Sequence, residues 1–316
     1  MNRFRYSSYM TILIVLCMFI GGCAMNNEPK SIQTLSQESP AMDKNNPLIA
    51  SEIQKITFYS KSLNQNKKMN IYLPKGYSSA VHYPVLYLIH GYTGNETNWV
   101  PGMGIDQAAD KLIEAGKIVP LIMVSPELDN SYGINSSQTY SVTNPGDPNT
   151  TYNGMYEDYL NNDVIGYVDS HYSTLAKRES RFIGGMSMGG FISLHTAFLH
   201  TDLFSKVGGH SPALFLNDWS TTGGENGLKS FLYPTDTVRQ TRDPLIFSQN
   251  LNLSNMKVYL DCGDQDGYKF YEGSEKLYGI LKAKGVSVEY HLNKGKHDGD
   301  YWKSMVDNYL LFYVGK

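Results

Sequence analysis

"RFIGGMSMGG" spans Arg181–Gly190. Phe182 and Ile183 suit a buried strand, whereas the crowded glycines around one serine do not. Arg181–Ser187 reads as a strand and Met188–His200 as a helix. Between them, Gly185-Met186-Ser187-Met188-Gly189 fits G-x-S-x-G. In such a turn the serine backbone is strained, and glycines two residues to either side avoid Cβ clashes. The turn lifts the serine hydroxyl above the carboxyl end of a sheet. An oxyanion formed there meets backbone N–H groups and the positive end of the helix dipole.

The flanking sequence supports one parallel sheet with helices on both faces, an α/β architecture. Ile56–Pro74 gives two β-rich runs around Asn64-Gln65-Asn66, a hairpin signal. "YPVLYLIHG" (Tyr83–Gly91) and "VPLIMVSPE" (Val119–Glu127) are continuous apolar runs, as expected of strands buried on both faces. Asp106–Gly116 is a short helix. Met155–Tyr172 carries Tyr156, Leu160, Val164, Tyr167, Val168 and His171 at helical spacing, so one face points inward. Downstream come strands at Lys206–Ser211, Met256–Gly263 and Val286–Asn293, and helices at Phe270–Lys284 and Tyr301–Tyr313. Leu128–Asn153 reads as a long loop. Pro212–Asn250 reads as irregular with one or two short helices.

A serine hydroxyl needs a base, and the base needs an orienting acid. A strand–serine–helix turn of this kind takes them in the order serine, acid, histidine. Five histidines follow Ser187. His195 and His200 lie in the helix after it and point away. His291 sits inside a strand pattern, and His210 reads as a satisfied rim histidine. His297, in a Gly-rich loop after the last strand, stands where the base should enter. The acid should follow the preceding strand, where "YLDCGDQDGY" offers Asp261, Asp264 and Asp266. Asp261 is still within the strand, and position leaves Asp264 and Asp266 open. The backbone N–H groups of Tyr92 and Met188 are the natural oxyanion donors, and His90 braces the Tyr92 loop without taking part in proton transfer.

Together, "LYLIHGYTGNETNW", "SRFIGGMSMGGFISL", "DLFSKVGGHSPAL", "LDCGDQDGY" and "GKHDGDYW" resemble the esterase D-like group of α/β-hydrolases. That group includes feruloyl and acetylxylan esterases (carbohydrate esterase family 1) and S-formylglutathione hydrolases. The resemblance runs from about residue 50 to the C-terminus and implies the α/β-hydrolase fold. It also implies a Ser187–His297–Asp266 triad, because relatives carry Gly-x-x-Asp, here Gly263-Asp264-Gln265-Asp266. Asp264 is the reserve. Many relatives have Gly-His where this chain has Gly295-Lys296-His297, and Ser136–Asn153 also departs from them. The substrates implied are feruloyl or acetyl esters of plant cell-wall polysaccharides. Other small acyl esters or thioesters, acyl transfer and a non-catalytic binding lipoprotein are the alternatives. No metal or organic cofactor is expected.

The 316 residues are 41% hydrophobic, 12% aromatic and 18% charged, an ordinary globular composition. A net charge of −3 leaves no footprint for nucleic acid. Arg3 and Arg5 precede the apolar stretch Met10–Ile20, which is the length of a signal-peptide core. "FIGGCAMNN" then resembles a bacterial lipobox. This implies a signal peptide of residues 1–22, a lipid anchor at Cys23 as the sole membrane contact, and an exported protein; the alternative is an ordinary secretory signal and a freely secreted protein, which is exported as well. Without Arg3 and Arg5, 25 basic residues face 30 acidic ones, so the mature domain is near −5. Residues 23–50 read as a polar, Pro-containing flexible tether, and 51–316 as the folded domain. Cys262 is then the one internal cysteine, so no disulfide supports the fold.

Overall fold

The computed structural model describes residues 48–136, 153–216 and 228–316. The leader, Cys23 and nearly all of the tether lie outside the described residues, as does most of the Ser136–Asn153 segment. Leu48, within the residues read as tether, already bonds to the folded domain. It accepts a hydrogen bond from the Gly76 N–H and donates one to the Tyr77 carbonyl.

Strand β1 (Glu52–Ser60) pairs antiparallel with β2 (Gln65–Leu73), with Ser60 opposite Gln65. The turn is therefore Lys61–Asn64, slightly earlier than its Asn signal. Asn64 takes a φ of 53°, which its short polar side chain tolerates. Next come β3 (Val85–Ile89), α1 (Ile105–Glu114) and β4 (Ile122–Pro126). A small ribbon joins β5 (Asn135–Ser136) to β6 (Gly154–Met155). The helix expected over Met155–Tyr172 is α2 (Tyr156–Asp158), a wide π turn (Tyr159–Val164) and α3 (Ile165–His171). His171, the last residue of α3, does not join that inward face: it is exposed and stacks on Tyr167 with ring centroids 3.9 Å apart.

The second half runs β7 (Arg181–Met186), α4 (Met188–Leu199) and β8 (Lys206–His210). Three short helices follow: α5 (Leu228–Leu232), α6 (Asp236–Arg242) and α7 (Pro244–Phe247). The chain ends with β9 (Lys257–Gly263), α8 (Phe270–Ala283), β10 (Ser287–Asn293) and α9 (Gly299–Val314).

The eight-stranded sheet has the order β1-β2-β4-β3-β7-β8-β9-β10. Only β2 runs against its neighbours. Alternate residues along the central strands feed two cores. Val85, Tyr87 and Ile89 of β3 join α3, α4 and α8 on one face, whereas Leu86 and Leu88 join α1 and α9 on the other. After β3 the chain moves first to one side, to β4, and then across to β7. The carboxyl ends of β3 and β7 thus lie side by side where the strand order reverses, the crevice in which open α/β sheets hold ligands. Among the described residues no helix is long and apolar enough to cross a membrane.

Candidate active site

Ser187 sits between β7 and α4 with φ 54° and ψ −117°, a conformation disfavoured for a residue with a side chain. Its neighbours leave no alternative. A Cβ on Gly185 would stand 2.5 Å from the Gly189 carbonyl, and one on Gly189 would stand 2.1 Å from the Ile89 carbonyl oxygen. The G-x-S-x-G spacing is therefore a requirement of packing between β3, β7 and α4. The turn is tied at both ends. The Ser187 N–H donates to the His210 carbonyl at 2.9 Å, and the Ser187 carbonyl accepts from Phe191 and Ala213.

His297 arrives on the loop after β10. Its Nε2 lies 2.9 Å from Ser187 Oγ, and its Nδ1 lies 2.8 Å from Asp266 Oδ2. A carboxylate only accepts, so Nδ1 carries the proton and Nε2 offers its lone pair to the serine hydroxyl. Asp266 is itself oriented, because its other oxygen accepts the Tyr268 N–H at 2.8 Å. Asp264 is exposed and instead accepts the Gly295 N–H at 3.1 Å. Of the two acids that loop position leaves open, Asp266 is the one bonded to His297 and Asp264 the one bonded to a backbone N–H. The extra Lys296 is exposed, and the Gln265 N–H holds the Gly295 carbonyl at 2.8 Å beside it. Here Lys296 does not displace the histidine.

Three aromatic rings wall the His297 imidazole, each roughly perpendicular to it: Tyr268, Trp302 and Phe270, at centroid distances of 4.9, 5.0 and 5.3 Å. None of them was anticipated from the sequence. Their signal was the aromatic content of "DQDGYKF" and "HDGDYW", directly beside the acid and the base. Tyr268 is 44% exposed and stacks on Phe270. A shallow groove opens there between Leu214–Leu216 and Tyr268–Phe270.

The loop after β3 approaches from the other side. A Cβ on Gly91 would lie 3.5 Å from Ser187 Cβ. Burial holds His90 below its usual pKa, so its ring stays neutral. Nδ1–H donates to the Gly91 carbonyl at 2.8 Å, and Nε2 accepts the Leu128 N–H at 2.9 Å. His90 is thus a brace between two loops. The Thr93 N–H donates to Asn130 Oδ1 at 2.7 Å and fixes the turn beyond Tyr92. The Tyr92 hydroxyl is pushed up to about 12 by burial and stays protonated. Met188 is the first residue of α4, so its N–H has no acceptor within the helix.

The other histidines stay apart from Ser187 Oγ. His195 is buried in α4, His200 pairs with Glu157 at 2.7 Å, and His291 is exposed on the edge strand β10. His210 does not belong to the rim. It is wholly buried, stacked on Tyr309 at 3.6 Å and bonded through Nδ1 to Asp261 at 2.8 Å. The reason is its place in β8, two strands in from the sheet edge and covered by α9. Among the described residues no cluster of three or more His, Cys, Asp or Glu side chains could hold a metal ion.

Sheet order, the turn after β7 and the loops after β9 and β10 define the α/β-hydrolase fold, and the chain is an ester hydrolase of that class. It belongs to the Esterase family ("Putative esterase"), whose model matches residues 60–313. Among its relatives is an acetyl esterase of Caldicellulosiruptor saccharolyticus, 25% identical over 81% of this chain and 96% of that protein. Another is an endo-1,4-beta-xylanase/feruloyl esterase of Xylanibacter ruminicola, 26% identical over 81% of this chain but only 30% of that larger protein. A solved ferulic acid esterase superposes with a TM-score of 0.69 at 23% identity, covering 84% of this chain and 98% of the other.

Proposed function

We propose that the chain is an exported serine esterase that removes feruloyl or acetyl groups from plant cell-wall polysaccharides. Ser187 is the nucleophile, His297 the base, Asp266 the orienting acid, and the N–H groups of Tyr92 and Met188 form the oxyanion hole. The observation that carries this is the continuous Ser187–His297–Asp266 hydrogen-bond chain, at 2.9 and 2.8 Å.

Nε2 of His297 takes the hydroxyl proton as Ser187 Oγ attacks the ester carbonyl. Asp266 keeps the proton on Nδ1 and stabilises the imidazolium that forms. The carbonyl electrons move onto oxygen, which faces the two N–H groups. His297 then gives its proton to the leaving alcohol, and water clears the acyl-enzyme by the same steps in reverse roles. Removing one oxyanion donor typically costs about 10²–10³ in rate.

The substrate class is supported by the acetyl esterase and feruloyl esterase relatives, which carry those activities in their names. Export is supported by the Arg3/Arg5 and Met10–Ile20 pattern and the cysteine at residue 23. The test compares the purified protein with Ser187→Ala on methyl ferulate and on an activated acetate ester. Ferulate release by the parent alone is expected. Acetate cleavage without ferulate release would redirect the acyl group, and turnover unchanged by Ser187→Ala would overturn the mechanism.

A further inference from the structure

A second histidine–aspartate pair lies below the first. Asp261 of β9 is fully buried, and its carboxylate is held by three donors. His210 Nδ1–H donates to Oδ1 at 2.8 Å, while the hydroxyls of Tyr301 and Tyr309 donate to Oδ2 at 2.6 and 2.9 Å. Burying so many polar groups gains little stability over an apolar core of the same shape, but it fixes one arrangement of the chains that carry them.

Those chains lead to both ends of the site. On one side, the His210 carbonyl accepts the N–H of Ser187, and the Asp261 carbonyl accepts that of Ser211 at 2.7 Å. On the other side, Tyr301 holds the histidine loop in three ways. Its hydroxyl accepts from Asn293 Nδ2 at 3.2 Å, and its N–H donates to Asp298 Oδ1 at 3.0 Å. Its ring fills the space over Gly295, where a Cβ would come within 2.4 Å. Gly295 and Asp298 bracket His297.

We propose that Asp261, through His210 and Tyr301, positions the elbow and the histidine loop relative to each other and so sets the Ser187 Oγ to His297 Nε2 distance. These are positioning residues. The inference rests on Ser187 and His297 having the roles proposed above. The geometry matters because a displacement of about 1 Å between reacting groups can cost about 10² in rate.

Tyr301→Phe and Tyr309→Phe make a matched pair. Each removes one hydroxyl from the same carboxylate oxygen and keeps its ring, but only Tyr301 also meets the histidine loop. Similar losses in Tm are expected. Tyr301→Phe should lower kcat on an activated acetate ester by about tenfold or more, with KM nearly unchanged, whereas Tyr309→Phe should keep kcat close to the parent's. Asn293→Ala cuts the same link from the half-buried loop side and should reproduce the kcat loss even if Tyr301→Phe folds poorly. In protein labelled with ¹⁵N-histidine, the downfield His297 Nδ1 proton should shift or broaden in Tyr301→Phe and not in Tyr309→Phe. Equal kcat losses in the two tyrosine variants, or a parental kcat and an unmoved proton in Tyr301→Phe, would overturn the proposal. A parent that hydrolyses no ester would defeat the functional reading instead, and the proton comparison would still decide the positioning.

Discussion

Asp264 and Asp266 stand two residues apart on one loop, yet one is buried against the imidazole and the other braces a backbone. In Asp266→Asn the amide can donate toward His297 Nδ1 and favour the wrong tautomer, and kcat should fall by about 10⁴. Asp264→Asn keeps a carbonyl to accept the Gly295 N–H, so its kcat should stay near the parent's. Parallel kcat measurements on the two variants check this. Loop position could not separate the two acids, because the deciding features are an N–H from Tyr268 and the path of a distant loop. His195 is a residue whose sequence context said only that it leaves the site. Burial between Phe191 and Phe247 lowers it from 6.5 to about 4. In the unfolded chain it takes up a proton near 6.5, so its stabilising contribution is complete above that pH. It is lost as pH falls toward 4, and amounts to roughly 3 kcal/mol for that displacement. His200, raised by its hydrogen bond to Glu157, has the opposite sign: its contribution is present at low pH and fades as pH rises through its raised pKa. Urea unfolding of His195→Leu should therefore lose less stability than the parent between pH 6.5 and 4. An unchanged slope would mean that His195 is protonated in the folded state.

The strand–serine–helix element was readable because packing and chemistry demand the same glycines. Gly189 touches the backbone of β3, so Gly189→Ala forces backbone apart and should cost about 3 kcal/mol or more. A methyl added at Gly279 in α8 would meet nothing within 4 Å, so Gly279→Ala should stabilise by about 0.5–1 kcal/mol through helix propensity alone. Thermal melts of the two variants should move in opposite directions. Other elements were less readable. Tyr156, Leu160 and Val164 do face inward, but a wide π turn at Tyr159–Val164 interrupts the helix, and His171 at the end of α3 is exposed. Periodicity at 3.6 residues carries no sign of one wide turn. The Val286–Asn293 pattern reads as one more strand of a sheet covered on both faces. As β10 it lies at the edge, with Leu292 52% exposed, and its short apolar–polar pattern does not report edge position.

Both cores are built on the one sheet, so its central strands belong to each of them. Cys262 is placed to report on whether they come apart together. It is wholly buried near the end of β9, with Sγ 3.4 Å from Ser274 Oγ of α8, and burial raises its thiol pKa. A thiol reagent needs the exposed thiolate, so labelling requires β9 and α8 to separate. With Cys17 and Cys23 replaced by serine, Cys262 is the only thiol. If the domain unfolds as one unit of ordinary stability, native labelling should be slower than in the unfolded chain by about 10³–10⁸, the range of folding equilibrium constants. Reactivity should rise with urea along the same curve as the loss of esterase activity. Labelling at urea concentrations that leave activity intact would instead show that α8 and β10 open on their own. That outcome would make the acid and histidine loops, both rooted in those last strands, the least stable part of the site.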